Sequence, residues 1–370
     1  MADHGDLRLR LLRLAGRLRA PRQMPKEPRS ILIVRPDHLG DLVLASAALP
    51  ALRRAYPDAR LTAWLGPWGE PVWRPTPYLD AIETCPFPGF TRQAKANTLG
   101  PYSLAAREAA QLRGRFDLAI NLRFDFWWGA MAACWARIPV AGYDVPECRP
   151  FLASTIHYQP ARHEIDQTLR LVEAVTGQAA EAEDAGLFPE PGPSPDSPDD
   201  AIAIHPGAGA AVKLWTDERW ATLADALAQD APIVLMAGGP DEVGMAERIR
   251  SLMAQPAAVL SGMDLLQLAS ALRRCRLLVG PDNGPVHIAR AVGTPTVALF
   301  GPTDPRQFGP TGHEDGPHEV VSGGWSCVPC RRLDYTPGEL IYHPCVRLIE
   351  PADVLAAARR VLTAQQSRSC

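Results

Sequence analysis

Apolar and polar positions follow two alternating patterns along most of the chain. Short runs of apolar and β-branched residues, such as 31–34 and Ile233–Ala237, predict buried strands. Between them, segments such as 216–228 repeat apolar residues at the spacing of an amphipathic helix. Because strands that alternate with helices favour a parallel, doubly wound sheet, the chain is predicted to be an α/β protein.

The same patterns recur in both halves of the chain. In the first half they predict strands at 31–34, 60–65, 81–85 and 118–122, and helices at 41–55 and 127–136. In the second half they predict strands at 201–205, 233–237, 277–280 and 296–300, and helices at 216–228, 241–254, 264–274, 287–292 and 351–364. Asp264 and Gln267 have the spacing of a capping box at the start of one of these helices.

A proline-rich stretch separates the halves. Residues 187–200 contain five prolines among Ser and Asp, a composition that forms no packed element and predicts a linker. Two α/β halves joined in this way are expected to bind ligands in a cleft at the carboxyl ends of their strands. The predicted organisation is an N-terminal extension at 1–29, Rossmann-like domains at 30–186 and 201–350 on either side of the linker, and a C-terminal helix and tail at 351–370.

The N-terminal extension differs in charge from the rest of the chain. The 370 residues carry a formal net charge of −3, which gives no indication of a nucleic-acid partner. Residues 1–29 hold eight basic and three acidic residues, a net charge of +5, and leave −8 for the remainder. At 7–19, leucines recur at helical spacing among arginines. This pattern indicates either a peripheral helix on an anionic inner membrane or an ordinary packed helix or basic tail, and the sequence leaves both interpretations open.

The N-terminus and the cysteines bear on the compartment. The basic N-terminus lacks the continuous apolar segment of a secretory signal, and no apolar run has the length of a membrane span, so a cytoplasmic protein is expected. Eight cysteines are too few for a disulfide scaffold in a chain of 370 residues. Cys327, Cys330, His343 and Cys345 have spacings compatible with a structural zinc site, but a single CxxC motif favours reduced thiols.

The end of the first predicted strand carries a candidate base. The chain reads RPDHLGD at 35–41, so that Gly40 and Asp41 stand where the next helix begins. A carboxylate there can act as a general base, or it can simply cap the helix. Spacing alone favours the cap.

The strand at 201–205 leads into a glycine-containing loop, HPGAG at 205–209, with Lys213 shortly after it. Backbone N–H groups near Gly207 and Gly209 can bind phosphate oxygens, and Lys213 can add a positive charge. The alternative is a plain turn with a surface lysine. Since lysine occurs only three times among 38 basic residues, the phosphate interpretation is favoured.

Two further strand ends carry polar loops. The sequence PDNGPVH at 281–287 can offer N–H groups near Asn283 and Gly284 to a diphosphate, while Asp282 orients the loop or a sugar. The alternative is a helix cap, and His287 is interpreted as a core histidine without a catalytic role. In GGPDE at 238–242, Glu242 suits either a ribose hydroxyl or the first turn of a helix. No GxGxxG motif follows the first strand, which argues against a dehydrogenase.

Together these motifs resemble glycosyltransferase family 9, the ADP-heptose:lipopolysaccharide heptosyltransferases. The resemblance rests on Gly40 with Asp41, on Lys213 with Trp215, and on the segments 282–287 and 293–305. It implies a GT-B fold, in which two Rossmann-like parallel-sheet domains face each other across a cleft. The N-terminal domain would bind the acceptor and the C-terminal domain the nucleotide sugar.

The resemblance also implies an activity. A family member is an inverting, metal-independent glycosyltransferase without a cofactor, which moves a heptose from ADP-heptose to a glycan or glycolipid acceptor during lipopolysaccharide biosynthesis. By motif, Asp41 matches the base, Lys213 the diphosphate anchor and Glu242 the nucleoside contact. The resemblance therefore favours Asp41 as a base over Asp41 as a cap.

The remaining site assignments follow from the same resemblance. Asp282, Asn283 and Gly284 match the loop that holds the donor sugar and its phosphates. On the acceptor side the basic candidates are Arg35, His38 and Arg123. The aromatic segment at 121–128 suits either sugar stacking or the core.

Two other functions fit the same fold. A sugar-nucleotide epimerase or hydrolase would turn over the donor without an acceptor. A non-catalytic scaffold that binds nucleotide sugars would have no need of Asp41.

Overall fold

The computed structural model describes residues 3–18, 22–91, 99–189, 198–310 and 318–368, and of 3–8, 17–18 and 366–368 it describes the backbone alone. The chain forms two compact units, Met1–Leu187 and Phe188–Cys370. Most of the predicted linker, at 190–197, lies outside the described residues, as does Arg19 at the end of the predicted amphipathic segment.

The first unit is built on a parallel sheet. Its strands are β1 Ser30–Arg35, β2 Arg60–Leu65, β3 Ala81–Thr84, β4 Leu118–Asn121, β5 Val140–Tyr143 and β6 Ser154–Ile156. They lie in the order β3-β2-β1-β4-β5-β6, the order of a Rossmann fold, with the topological switch point between β1 and β4. These two central strands are almost completely buried, as expected for a sheet covered by helices on both faces.

The helices of the first unit correct one prediction. They are α1 Asp3–Leu18, α2 Leu39–Ala45, α3 Ala48–Ala55, α4 Glu70–Trp73, α5 Gly100–Leu112, α6 Trp127–Trp135 and α7 Glu164–Thr176. The single helix predicted at 41–55 is wrong, because α2 and α3 are separate. Pro50 has no N–H to donate to the carbonyl of Ser46 four residues earlier, and its ring crowds that carbonyl. The N–H of Leu49 bonds to Ser46 instead, at 2.9 Å.

The second unit repeats the topology of the first. Its strands are β7 Ile202–Ile204, β8 Ile233–Ala237, β9 Ala257–Ser261, β10 Leu277–Pro281, β11 Thr296–Phe300 and β12 His318–Ser322. The order β9-β8-β7-β10-β11-β12 is again that of a Rossmann fold, with its switch point between β7 and β10. Two parallel six-stranded sheets with flanking helices confirm the predicted fold class.

The helices of the second unit follow the predicted pattern closely. They are α8 Asp217–Leu227, α9 Pro240–Leu252, α10 Leu265–Arg273, α11 Gly284–Ala291, α12 Pro305–Phe308 and α13 Pro351–Arg368. The capping box of α10 is confirmed. The N–H of Gln267 donates to the Asp264 carboxylate at 2.8 Å, and the N–H of Asp264 donates to the Gln267 side chain at 2.9 Å.

Helix α1 packs on the first unit along one side. Leu12 is buried in the same core as Phe151, and a Cβ on Gly16 would overlap Pro150, so that the helix approaches the body closely there. Leu11 and Leu14, by contrast, are 55% and 54% exposed. The helix thus combines a packed side with exposed leucines. Among the described residues, none of the helices is both long and apolar enough to span a membrane.

Candidate functional site

The candidate base lies in the first turn of α2, directly beyond the carboxyl end of β1. Asp41 is the third residue of this helix and is partly buried. The N-cap position belongs to His38, whose side chain makes no capping hydrogen bond. Asp41 is therefore not the N-cap residue, and its carboxylate stands at the switch point where Rossmann-like sheets bind ligands.

Arg35, at the end of β1, is the centre of a buried ionic network. It is 1% exposed. Its Nε lies 2.6 Å from Asp37 Oδ2, its Nη2 lies 3.0 Å from Glu164 Oε1, and its Nη1 donates to the carbonyl of Leu122 at 2.6 Å. A guanidinium enclosed in this way cannot reach an acceptor, which corrects the acceptor-side role predicted for Arg35. Its position suits a structural role beneath the site.

The network continues to the surface through Arg123, which follows β4. Arg123 Nη1 donates to Asp37, its Nε donates to Asp125 at 2.6 Å, and its guanidinium lies 5.1 Å from the ring centroid of Phe90. Although burial opposes ionisation, Arg123 and Arg35 hold the pKa of Asp37 below its usual range. Arg123 stays partly exposed, so the structure leaves it accessible where Arg35 is not.

Aromatic side chains border the same edge. The ring of the exposed His38 lies 5.2 Å from that of Trp68, whose indole N–H donates to the carbonyl of Asp37 at 2.8 Å. Within the aromatic segment at 121–128, Phe126 and Trp128 are buried in the core of the first unit. Phe126 and Trp128 are thus core residues and not part of a sugar-stacking surface.

In the second unit, Lys213 and Asp282 form an ion pair at the switch point. Lys213 Nζ lies 2.6 Å from Asp282 Oδ2, which also accepts a hydrogen bond from Thr303. His287 Nε2 lies 3.8 Å from the other carboxylate oxygen. Although burial opposes ionisation, His287 and Lys213 hold the pKa of Asp282 well below its usual range. Lys213 is therefore not a loose surface lysine, because it is largely buried against a permanently ionised carboxylate.

Asn283 joins two of the predicted loops. As the N-cap residue of α11, its Oδ1 accepts from the N–H of Val286 at 3.1 Å. Its Nδ2 donates to the carbonyl of Gly207 at 2.7 Å and lies 3.0 Å from His205 Nδ1. Because the capping bond identifies Nδ2 as the donor, His205 Nδ1 accepts and its proton is on Nε2.

That proton points towards Glu242, the third residue of α9. His205 Nε2 lies 3.5 Å from Glu242 Oε2, which also accepts from the N–H of Gly238 at 2.7 Å. The His205 contact lowers the pKa of Glu242 to about 2, despite partial burial. A Cβ on Gly207 would overlap this carboxylate, whereas a Cβ on Gly209 would meet open space. A side chain at position 207 would thus displace the Glu242 carboxylate, and Gly209 leaves room for a ligand.

The sequence analysis gave no role to several residues of these networks: Asp37, His205, Thr303 and Glu164. Thr303 belongs to the segment at 293–305, at the end of β11, and its place after a strand was a usable signal. Glu164 follows no strand and begins α7, 129 residues after Arg35 in the chain. No local pattern marks it.

The cysteine segment does not form a ligand set. In the part of the chain that the structure describes, no three His, Cys, Asp or Glu side chains are grouped to hold a metal ion. Cys330 Sγ lies 3.4 Å from the Tyr335 hydroxyl, and the ring of His343 stacks on Tyr335 with centroids 3.9 Å apart. Cys327, Cys330, His343 and Cys345, the residues of the zinc alternative, are thus not brought together as a ligand set in the described part of the chain.

Comparison with known proteins identifies relatives that match most of the chain. The profile of glycosyltransferase family 9 (heptosyltransferase) matches residues 106–335, more than half of the chain. Lipopolysaccharide heptosyltransferase 1 of Pseudomonas aeruginosa is 27% identical over 333 residues, covering 84% of this chain and 88% of the relative. Lipopolysaccharide heptosyltransferase 3 of Escherichia coli is 23% identical, covering 87% and 96%.

Solved structures share the fold. A glycosyl transferase family 9 protein from Veillonella parvula superposes with a TM-score of 0.71 at 22% identity, covering 93% of this chain and 99% of that one. The E. coli heptosyltransferase WaaC, solved with ADP, gives a TM-score of 0.66 at 20% identity, covering 85% and 98%. At these identities the likeness concerns the fold, which is that of the GT-B glycosyltransferases.

Proposed function

This chain belongs to glycosyltransferase family 9, and we propose that it transfers a heptose from ADP-heptose to a hydroxyl group of a cell-envelope glycan or glycolipid during lipopolysaccharide biosynthesis. The cluster at the β7–β10 switch point carries this proposal. There Lys213, Asp282 and Glu242 offer one cation and two permanently ionised carboxylates. A nucleoside diphosphate sugar presents matching groups, namely a diphosphate and two sets of sugar hydroxyls.

On the donor side, Lys213 binds the diphosphate. Its ammonium has three N–H bonds, so it can keep Asp282 and still donate to phosphate oxygens. The N–H groups at the start of α11, near Asn283 and Gly284, add donors from a helix N-terminus. Asp282 accepts from a hydroxyl of the heptose, and Glu242 from the ribose.

The transfer is a single displacement. Asp41 takes the proton of the acceptor hydroxyl as its oxygen attacks the anomeric carbon, opposite the diphosphate. The bond from that carbon to the phosphate oxygen breaks, its electron pair leaves with ADP, and the configuration inverts. The growing charge on the diphosphate is stabilised by Lys213 and the backbone N–H groups, without a metal ion. His38 and Arg123 contact the acceptor.

A transfer assay tests this proposal. Purified protein is incubated with ADP-heptose, a heptose-deficient lipopolysaccharide extract and EDTA, and ADP release and heptosylated product are both quantified. Asp41→Asn is expected to lower kcat by about 10²–10⁴-fold, the usual cost of losing a general base. Asp58→Asn, at an exposed position of the same unit, is the matched control and is expected to leave kcat unchanged.

Lys213→Met is tested beside Lys26→Met. Lys26 is exposed, so its loss should change nothing, while loss of Lys213 should abolish most of the transfer. ADP release without acceptor would indicate a hydrolase or epimerase instead. A protein that binds ADP-heptose but releases no ADP with any acceptor, and whose donor binding is unaffected by Asp41→Asn, would be a scaffold.

The exposed leucines of α1 support peripheral binding to an anionic membrane. Leu11 and Leu14 lie on the solvent side of a helix that also carries the exposed Arg10 and Arg13. Apolar residues flanked by arginines match the interface of a leaflet with anionic headgroups.

Vesicle flotation distinguishes this binding from adventitious adsorption. The protein is expected to float with vesicles containing phosphatidylglycerol and not with phosphatidylcholine vesicles alone. Replacing Leu11 and Leu14 by Glu should abolish flotation. Leu252→Glu, at a leucine 51% exposed elsewhere, should leave it intact, and equal loss in both variants would refute a role of α1.

A further inference from the structure

We propose that Glu164 is a positioning residue whose ionisation controls the acceptor-side site of the first unit. It acts through Arg35, which it contacts, and through the charge that it adds near Asp41. The inference rests on the proposed role of Asp41 as the base, and it adds a control element that neither the motifs nor the relatives indicate.

The geometry forms a continuous chain from the interior to the site. Glu164 Oε1 accepts from Arg35 at 3.0 Å, Arg35 lies 2.6 Å from Asp37, and Asp37 accepts from Arg123. Arg123 is partly exposed at the edge of the site. Because Glu164 is one of the three groups that hold Arg35, its charge affects how firmly Arg35 and the network beyond it are placed.

Glu164 is not fully satisfied as a carboxylate. It is buried, and its Oε2 has no hydrogen-bond partner among the described residues. A buried carboxylate oxygen without a donor is costly, and protonation relieves that cost. Asp282, the buried acid of the site in the second unit, is by contrast contacted by Lys213 and Thr303, with His287 nearby.

Among the charged and titratable groups of this network, Glu164 is the one expected to change its protonation near neutral pH. Burial raises the pKa of Glu164 to about 7, while Arg35 opposes this rise and Asp41 adds to it. Its position in the first turn of α7 favours the ionised form and helps keep the titration within the physiological range. The charged and titratable groups that face it are Arg35 and Asp37 from β1 and the loop after it, Asp41 from α2, Tyr143 from β5, and Tyr158 from the segment after β6.

The two tyrosines do not compete for this titration. Burial, with Glu164 nearby, raises the pKa values of Tyr143 and Tyr158 far above neutrality, so both stay protonated. Arg35 remains charged throughout, because Asp37 and Glu164 raise its pKa against the effect of burial.

The charge state of Glu164 therefore changes what Asp41 experiences. When Glu164 is ionised, Asp37 and Glu164 together balance the charge of Arg35. The negative charge of Glu164 then strengthens the attraction of Asp41 for the acceptor proton. With Glu164 protonated, Arg35 weakens that attraction. Activity should rise with pH through about 7, following the ionisation of Glu164.

The pH dependence of kcat tests this with three variants. Glu164→Gln keeps the side-chain shape and an oxygen for Arg35 but cannot ionise. Its kcat should fall about tenfold at high pH, the order of magnitude expected when one nearby unit charge is lost at an effective dielectric constant of about 20. At low pH it should match the wild type. Glu164→Asp should retain the rise. Glu183→Gln, at an exposed glutamate paired with Arg54, is the matched control and should behave as the wild type.

A second readout does not depend on transfer. With carbon-13 in glutamate carboxyl groups, the resonance lost in Glu164→Gln should titrate near pH 7 in the wild type. In Asp41→Asn its midpoint should shift to lower pH, because the charge of Asp41 no longer opposes the ionisation of Glu164.

The outcomes separate this proposal from the proposed function. An unchanged pH profile in Glu164→Gln, or a loss that is equal at every pH, would overturn the control by ionisation. A midpoint near the ordinary glutamate value, or one unaffected by Asp41→Asn, would overturn it as well. No heptose transfer by the wild type on any acceptor would refute the proposed function, while the carboxyl titration would still decide whether Glu164 and Asp41 are coupled.

Discussion

The switch points of the two units hold buried or partly buried acids under opposite conditions. In the second unit, Glu242 receives hydrogen bonds or charge from His205 and Gly238, and its pKa falls to about 2. In the first unit, Glu164 has one cationic partner and an unpaired oxygen, and burial raises its pKa to about 7. The same topology thus supports a fixed charge in one unit and a titratable one in the other.

The number of donors around each carboxylate accounts for the difference. Asp282 is contacted by Lys213, Thr303 and His287, so its ionised form is stabilised from several directions. Under the proposed function, the second unit would hold a diphosphate sugar with charges that do not change with pH. The first unit would accept a proton beside a neighbour whose charge can adjust its reactivity.

For the acids compared here, the largest expected effect comes from removing the fixed charge of Asp282. Asp282→Asn should lower kcat by about 10²–10³-fold, because Lys213 loses its counter-charge and the heptose loses an acceptor. The loss should be the same at all pH values, since Asp282 is ionised throughout. Asp199→Asn, at an exposed residue paired with Arg274, is the control in the transfer assay. A loss confined to low pH would contradict the view of Asp282 as a fixed charge.

A smaller effect is expected on stability when the titratable acid is replaced. The folded state holds the Glu164 proton up to about pH 7, whereas the unfolded chain releases it near 4.5, so stability falls as pH rises between these values and is constant above them. The wild type should lose roughly 3 kcal/mol of unfolding free energy over this range, and Glu164→Gln should not.

Urea unfolding from about pH 5 to about pH 8 measures this difference, with Glu183→Gln as the control. If Glu164→Gln were less stable than the wild type at the upper end, the ionised Glu164–Arg35 pair would be net stabilising. The contrast between the two units would then be wrong.

A smaller effect, on the affinity for ADP, is expected when the side chain of Glu242 is displaced. Gly207→Ala places a Cβ against the carboxylate of Glu242, and the affinity for ADP should fall about tenfold through loss of a charge-assisted hydrogen bond. Gly244 lies in α9, the helix that carries Glu242, and a Cβ there would make only an ordinary van der Waals contact. Gly244→Ala should therefore leave the affinity for ADP unchanged. Calorimetric titration with ADP compares the two. Equal affinities would show that Glu242 does not contact the nucleotide.

The smallest effect concerns an acid with a purely local role. Asp264→Ala removes the capping box of α10 and should lower stability by about 1 kcal/mol while leaving heptose transfer unchanged. Thermal unfolding and the transfer assay are run on the same sample. A parallel loss of activity would mean that stability alone could explain the effects at the other acids.

Three strands, β2, β8 and β11, have the bounds that the sequence predicted, and apart from Arg60 at the start of β2 they are buried. Apolar and β-branched residues dominate each of them, which favours a strand. Burial alone did not suffice, because the short buried strand β5 was not predicted. Strands β9 and β12 are only partly buried, and their mixed composition gave no signal. The break between α2 and α3 depended on one proline within an otherwise helical pattern.

The donor-side residues could be predicted because strand, glycine loop and helix are adjacent in the chain. Asn283 and Glu242 stand two and five residues after a strand, and Lys213 follows β7 by nine residues through a glycine loop. The structure brings them to one edge of one sheet. Their functional roles remain proposals. The enclosure of Arg35 could not be predicted, since its partner Glu164 comes from a helix 129 residues further along.

The sequence by itself determined the α/β class, the strand-end loops and the family, because these depend on periodicity and on motifs a few residues long. Only the tertiary structure decided which of its acids are fixed and which can titrate. Ionisation depends on burial and on the donors within a few ångströms, and in Glu164 and Asp282 those neighbours come from distant segments of the chain.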